Sequence, residues 1–205
     1  MKDTPEKQDH YFTQSPSSKM QRHKLVYNAG NYSINLETAD GVFSKSGVDF
    51  GSDLLIKTVL NEPKFESLLD MGCGYGAIGI SLVKAFGCRT VMCDINERAV
   101  MLAKSNSESS GAEVLQSDGF QNITGTFDAI VTNQPIRAGK AVYYEWFDQS
   151  INYLNQGGRF YCVIQKKQGA PSAIKHLEGI YPECGVIAKD KGYYIIKCVK
   201  GNVPD

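Results

Sequence analysis

Between residues 67 and 165 the chain alternates short β-rich runs with helical patterns, and no other feature limits its possible folds so strongly. The runs cover 67–71, 89–93, 112–116, 127–132 and 159–165; each is too short for a typical helix, and the last two are rich in β-branched and aromatic residues. Apolar residues at helical spacing fill 77–86, 97–109, 140–153 and, after the fifth run, 172–180. Such alternation predicts right-handed βαβ units, a largely parallel sheet and helices on both faces. The tail departs from it. Runs at 186–188 and 193–199 are joined only by Lys189-Asp190-Lys191-Gly192, too short for a parallel crossover, so they are expected to form a hairpin. The predicted fold is a Rossmann-like, doubly wound α/β sheet, mostly parallel, with one antiparallel strand near its end.

Ahead of this core, 24–28 and 32–37 alternate apolar and polar residues around Ala29-Gly30-Asn31, which predicts a β-hairpin. Residues 48–60 read as a helix stopped by Asn61-Glu62-Pro63. Residues 1–23 are polar and contain Pro5 and Pro16, so they are expected to be an arm, with the domain proper spanning 24–205. Lys plus Arg and Asp plus Glu both total 22, which argues against attachment to nucleic acid by global charge and leaves room for a local basic patch. No apolar run approaches a membrane span, so a cytoplasmic protein without a membrane partner is expected. The six cysteines lack C-x-x-C spacing and several lie in apolar runs, as reduced packing residues would. The three histidines are far apart, and no metal is assigned.

The sharpest motif is Asp70-Met71-Gly72-Cys73-Gly74-Tyr75-Gly76, between the first core strand and a helix. Glycines there let the backbone turn tightly and approach a ligand. The spacing Gly72-x-Gly74-x-x-Ala77 also satisfies the dinucleotide fingerprint, so the loop alone does not separate a nicotinamide cofactor from S-adenosylmethionine (SAM). The acids decide for SAM. Asp70 precedes the first glycine, where a carboxylate suits a cationic amino group and repels a pyrophosphate. Asp94, followed by Ile95, ends the second strand, where it can accept from ribose hydroxyls; Asp118, followed by Gly119, ends the third, where it can accept from an adenine amine. Taken singly, Asp94 and Asp118 could be helix caps or turn formers.

The fourth strand runs into Asn133-Gln134-Pro135-Ile136. This resembles the Asn-Pro-Pro-aromatic motif of class I methyltransferases that act on an amino nitrogen. There the Asn side-chain oxygen and the next carbonyl accept the amine hydrogens and aim its lone pair, so orientation and electrostatics replace a strong base. Asn133 and Pro135 match; Gln134 stands for the first proline and Ile136 for the aromatic. Ile136 can cover a base face without stacking as a ring would.

With Gly41-Val42-Phe43-Ser44, Val48-Asp49-Phe50-Gly51-Ser52, the glycine loop, the segment 133–140 and Gln165-Lys166-Lys167-Gln168-Gly169-Ala170-Pro171, nearly the whole chain resembles the bacterial ribosomal RNA guanine-N2 methyltransferases of the methyltransferase C type, which act on the small ribosomal subunit, and above all their single-domain relatives. The resemblance implies SAM as cofactor and ribosomal RNA, free or within a ribosomal particle, as partner. It implies that Phe43 and Phe50 close the cofactor pocket, although both could equally be core aromatics. Cys73 goes with the loop. Arg137, Lys140, Lys166 and Lys167 follow strand ends and could ring an anionic substrate, with Lys19, Arg22 and Lys24 extending the patch. The longer relatives carry a further amino-terminal domain that helps hold RNA. The resemblance leaves that task, as an expectation, to the arm, the hairpin or the second protomer of a homodimer. The alternatives are methylation of a protein glutamine or a small-molecule amine, and a non-catalytic SAM- or RNA-binding module.

Overall fold

The computed structural model describes residues 20–201. Most of the expected arm, and Lys19, lie outside the described residues. Two antiparallel strands, β1 (Arg22–Ala29) and β2 (Tyr32–Ala39), form a separate hairpin, longer at both ends than the alternation predicts. Helix α1 (Phe50–Val59) follows, and then the core: β3 (Ser67–Met71), α2 (Ala77–Phe86), β4 (Arg89–Asp94), α3 (Glu97–Ser107), β5 (Glu113–Gln116), β6 (Phe127–Thr132), α4 (Lys140–Ser150), β7 (Leu154–Gln165), α5 (Ala170–Glu178), β8 (Glu183–Asp190) and β9 (Tyr193–Val199).

Seven strands lie in the order β5-β4-β3-β6-β7-β9-β8, and β9 alone runs against its neighbours. This is the Rossmann-like sheet expected. β3 is buried at all five positions, as a strand covered on both faces must be. Its side chains alternate. Leu68 faces a core shared with α1, α2, α3 and the hairpin, and Leu69 and Met71 face the second core under α4 and α5. After β5 the chain returns to the far side of β3, so order reverses between β3 and β6, and a crevice opens at their carboxyl ends.

Element ends depart from the sequence reading where caps decide them. Helix α1 starts at Phe50 because Asp49 caps it. Helix α5 starts at Ala170 because Pro171 suits a first helical turn. Helix α4 ends at Ser150 and passes into a single 3-10 turn, Ile151–Tyr153. The β8–β9 connection is a two-residue turn with Lys191 at φ 45° and Gly192 at φ 80°, the positive-φ pair a tight hairpin requires. Among the described residues no helix is long and apolar enough to cross a membrane.

At the opposite, amino-terminal edge of the sheet, Asp128 ties three strands. Its carboxylate accepts from the Ser67 amide (2.9 Å) and hydroxyl (2.9 Å), the Glu66 amide (3.1 Å) and Asn155 Nδ2 (2.7 Å). Burial opposes its charge, yet the donors from Asn155, Ser67 and Glu66 outweigh that and hold its carboxyl below the usual range. Asp128→Ala is therefore expected to lower stability by about 2 kcal/mol by orphaning charge-assisted bonds. This contribution is present above the ordinary carboxyl pKa and fades as pH falls below it. Chemical denaturation at pH 7 checks it, with methyl transfer by the folded variant expected to match the parent.

Candidate cofactor and active site

A cavity of about 310 Å³ occupies the crevice, near the lower limit of roughly 300 Å³ for small-molecule sites. Met71 and Gly72 from the end of β3, Cys93, Asp94 and Ile95 from β4, Ser117, Asp118 and Gly119 after β5, and Asn133 and Pro135 after β6 line it. Phe43, Ala138, Val142 and Trp146 complete the wall. Carboxylates stand at two strand ends, and apolar surface lies between them.

Asp94 Oδ2 accepts from the Gly74 amide (2.9 Å) and Oδ1 from the Asn96 amide (2.9 Å), so it binds the glycine loop to the end of β4 as well as facing the cavity. Gly72 lines the cavity at φ 69°. Gly76, at φ 91°, caps α2, and a Cβ there would stand 2.9 Å from Ile80. Cys73, Gly74 and Gly76 build the loop without lining the cavity.

Asp70 takes a different place from the other two acids. Strand alternation turns it to the α2 side with Leu68, where it is fully buried, and its Oδ2 accepts from the Gly79 amide at 2.7 Å inside the first turn of α2. Its Oδ1 has no partner among the described residues. Burial pushes the carboxyl up to about 7, against the Gly79 donor and with a smaller push from Asp94. It lies behind the loop rather than in the cavity wall.

Asn133 is in the wall, and its Nδ2 donates to Asp49 Oδ1 (3.1 Å) and Ser52 Oγ (2.9 Å). Pro135, at φ −77° and ψ 77°, centres a tight turn in which the Gln134 carbonyl accepts from the Ile136 amide at 2.9 Å. One lone pair of that carbonyl is thus occupied. The Gln134 side chain is buried with neither amide atom partnered among the described residues, and it is not in the wall. Ile136 packs half-buried against the α4–α5 core instead of facing the cavity. Arg137, Lys140, Lys166 and Lys167 all lie beyond the ends of β6 and β7, and all four are exposed. Lys140 Nζ stands 4.6 Å from the Tyr144 ring centroid.

The two phenylalanines separate. Phe43 lines the cavity and is 40% exposed, so it is no core residue. Its segment is held by the Asn96 side chain, which donates to the Gly41 carbonyl, and by Arg98, which donates to the Asp40 carbonyl. Phe50 packs against Tyr193 at 5.3 Å and under Lys191, outside the cavity. Sequence reasoning misses Trp146. An apolar residue in a helical pattern carries no mark of which neighbour it meets, and its companions Tyr143 and Phe147 are core. The indole lies against two positive-φ glycines: a Cβ at Gly72 would be 3.2 Å from it and one at Gly119 3.0 Å. As the only tryptophan in the chain, it is expected to change its fluorescence when SAM is titrated in. A Trp146→Phe variant should bind SAM with no such signal, and calorimetry in parallel checks both.

The family model described as the methyltransferase small domain matches residues 33–197. The Bacillus subtilis (strain 168) protein YbxB is 47% identical over 199 residues, covering 94% of this chain and 98% of its own length. The ribosomal RNA small subunit methyltransferase C of Cronobacter sakazakii is 29% identical over 182 residues, 84% of this chain but 52% of that one. The chain thus spans about half the length of such relatives. A solved Thermus thermophilus structure, the 16S rRNA N2 G1207 methyltransferase in complex with AdoMet and guanosine, superimposes with a TM-score of 0.78 at 23% identity, over 90% of this chain and 52% of that one.

Sheet order, the reversed β9 and the carboxylate-flanked cavity define a SAM-dependent methyltransferase. The chain belongs to the methyltransferase small-domain family. The donor set fits the cofactor: carboxylates at Asp94 and Asp118 for hydroxyl and amine hydrogens, and Ile95, Met71, Phe43 and Trp146 as apolar surface for a purine.

Proposed function

We propose that this enzyme methylates the exocyclic N2 amine of a guanine in ribosomal RNA. The observation that carries this reading is Asn133 in the cavity wall, at the end of β6, with its Nδ2 committed to the protein and its oxygen left to accept from a substrate. SAM supplies an electrophilic methyl group on sulfur. Asn133 and the remaining lone pair of the Gln134 carbonyl accept the hydrogens of the amine and turn its lone pair toward that methyl. Asp94 and Asp118 hold the ribose and adenine. Asp70 lies behind the glycine loop, and its carboxylate, with Oδ1 unpartnered among the described residues, draws the cationic amino group by its charge. Gly72 admits the chain of the cofactor where a side chain would meet Trp146. Arg137, Lys140, Lys166 and Lys167 favour a polyanion at the mouth, and the half-length match to the ribosomal RNA small subunit methyltransferase C proteins favours ribosomal RNA among polyanions.

The test is incubation with methyl-labelled SAM and undermethylated ribosomal RNA, both bare and as assembled small ribosomal particles, followed by nucleoside analysis. Label in N2-methylguanosine is the expected result. Label confined to another nucleoside, or to protein after ribonuclease treatment, would overturn the assignment of the acceptor.

A further inference from the structure

We infer that Asp49, with Ser52, is a positioning residue that locks the Asn133 amide with its oxygen toward the substrate, so that the site accepts only a nucleophile carrying hydrogen on nitrogen. The inference rests on the amine-methylating reading above and adds the device that enforces it.

Asp49 caps α1, and each of its oxygens has two donors. Oδ2 accepts from the Gly51 amide (2.8 Å) and the Ser52 amide (3.3 Å). Oδ1 accepts from the Ser52 hydroxyl (2.6 Å) and from Asn133 Nδ2 (3.1 Å). The same Nδ2 donates to Ser52 Oγ at 2.9 Å. Asp49, Ser52 and Asn133 thus close a triangle in which the single hydroxyl hydrogen goes to Asp49 and the Asn133 NH2 is shared between the two oxygens. An ionised carboxylate only accepts, so turning the Asn133 amide over would set its oxygen against Asp49 and leave Ser52 Oγ facing a second acceptor. One orientation survives. Oδ1 is the only polar atom of the Asn133 side chain without a partner among the described residues, and it can only accept.

Two chemical consequences follow. A ring nitrogen that offers only a lone pair would set that lone pair against Oδ1, whereas an amino group satisfies it. As the amine nitrogen forms its new bond to the methyl carbon, the bond from that carbon to sulfur breaks and its electron pair stays on sulfur as a neutral thioether, so the nitrogen becomes positively charged and its hydrogens become stronger donors. A carboxylate behind the amide polarises Oδ1 and strengthens the bond at that moment. The proton then leaves to solvent.

Asp49→Asn tests the lock without removing the helix cap, because asparagine caps as well as aspartate. Its own NH2 can now face Asn133 and permit the flipped amide. We expect kcat to fall on the order of 100-fold, with SAM affinity and melting temperature close to the parent. Ser52→Ala, which keeps the Asp49–Asn133 bond, should lose less. The direct readout is the Asn133 side-chain NH2 pair in nitrogen–proton NMR, identified by its absence in Asn133→Ala. In the parent the NH2 pair should exchange slowly, and it should shift and exchange faster in Asp49→Asn. Unchanged resonances in Asp49→Asn would overturn the lock, as would shifted resonances with a parental kcat. If the resonances behave as expected but the parent methylates no amine, the lock stands and the reading of the reaction fails.

Discussion

Asn133→Ala is expected to reduce methyl transfer by about a thousandfold or more while leaving SAM affinity close to that of the parent. The truncation deletes the acceptor that aims the amine, an interaction needed in the transition state and not in cofactor binding. Removal of one well-placed polar group of that kind costs roughly 10²–10³ in kcat, and the loss of orientation adds to it. The cavity wall also contains Asp94, Asp118, Ile95 and Trp146, none of which the substitution touches, so the cofactor retains its other contacts. Asp49 and Ser52 keep their mutual bond and the α1 cap, which keeps the fold intact. Single-turnover kinetics beside equilibrium SAM titration separate the two quantities. Equal losses in both would show that Asn133 serves the cofactor, and an active variant would remove the amine-aiming role.

Asp70→Asn is expected to raise stability and weaken cofactor binding. A carboxyl raised from the ordinary 3.8 to about 7 by burial favours its neutral form in the folded protein. Below pH 4 folded and unfolded states are both protonated, and the group costs nothing. As pH rises toward 7 the unfolded chain ionises freely and the folded one does not, so stability falls over that window and levels off above it. About three pH units at about 1.4 kcal/mol each put the ceiling near ~4 kcal/mol. An asparagine keeps an oxygen for the Gly79 amide and carries no charge, so a gain of about 2 kcal/mol at pH 8 and a flatter pH profile are expected. SAM affinity should weaken by roughly 10-fold as the buried charge that attracts the cationic amino group is lost. Denaturation at pH 4, 6 and 8 with matched SAM titrations checks both halves. A variant less stable at pH 8 would mean that the buried carboxylate is compensated by a partner. Both outcomes together would mark the wild-type residue as stability yielded for a ligand.

Much of this architecture is legible in the chain. Alternating strand and helix patterns specify the doubly wound core, and Lys189-Asp190-Lys191-Gly192 betrays the reversed strand by its shortness. Asn133, Asp94 and Asp118 announce themselves by lying where strands end. The place of Asp70 is less legible: an acid before the glycine loop reads as a third member of the cavity wall, whereas strand periodicity turns it to the Leu68 side and under α2. Ile136 misleads likewise: a motif position says nothing of direction, and the turn at Pro135 sends the side chain to the core. The Asp49–Ser52 pair meets Asn133 across 81 or more residues, and Trp146 brings α4 against two distant loops; no local pattern encodes such meetings.

The hairpin of β8 and β9 gives the site a position in time as well as in space. Its turn closes against the end of β7, where the Lys166 amide donates to the Gly192 carbonyl, and Tyr193 lies against Phe50 and Gly51, beside the Asp49 cap. During synthesis the glycine loop, Asn133 and both cavity carboxylates leave the ribosome well before residues 183–199. Until those emerge, β7 is an open sheet edge and the helix that orients Asn133 lacks its outer support. The last-made strands of the described chain are thus the ones that cover the edge of β7 and back the helix that carries the Asp49 cap.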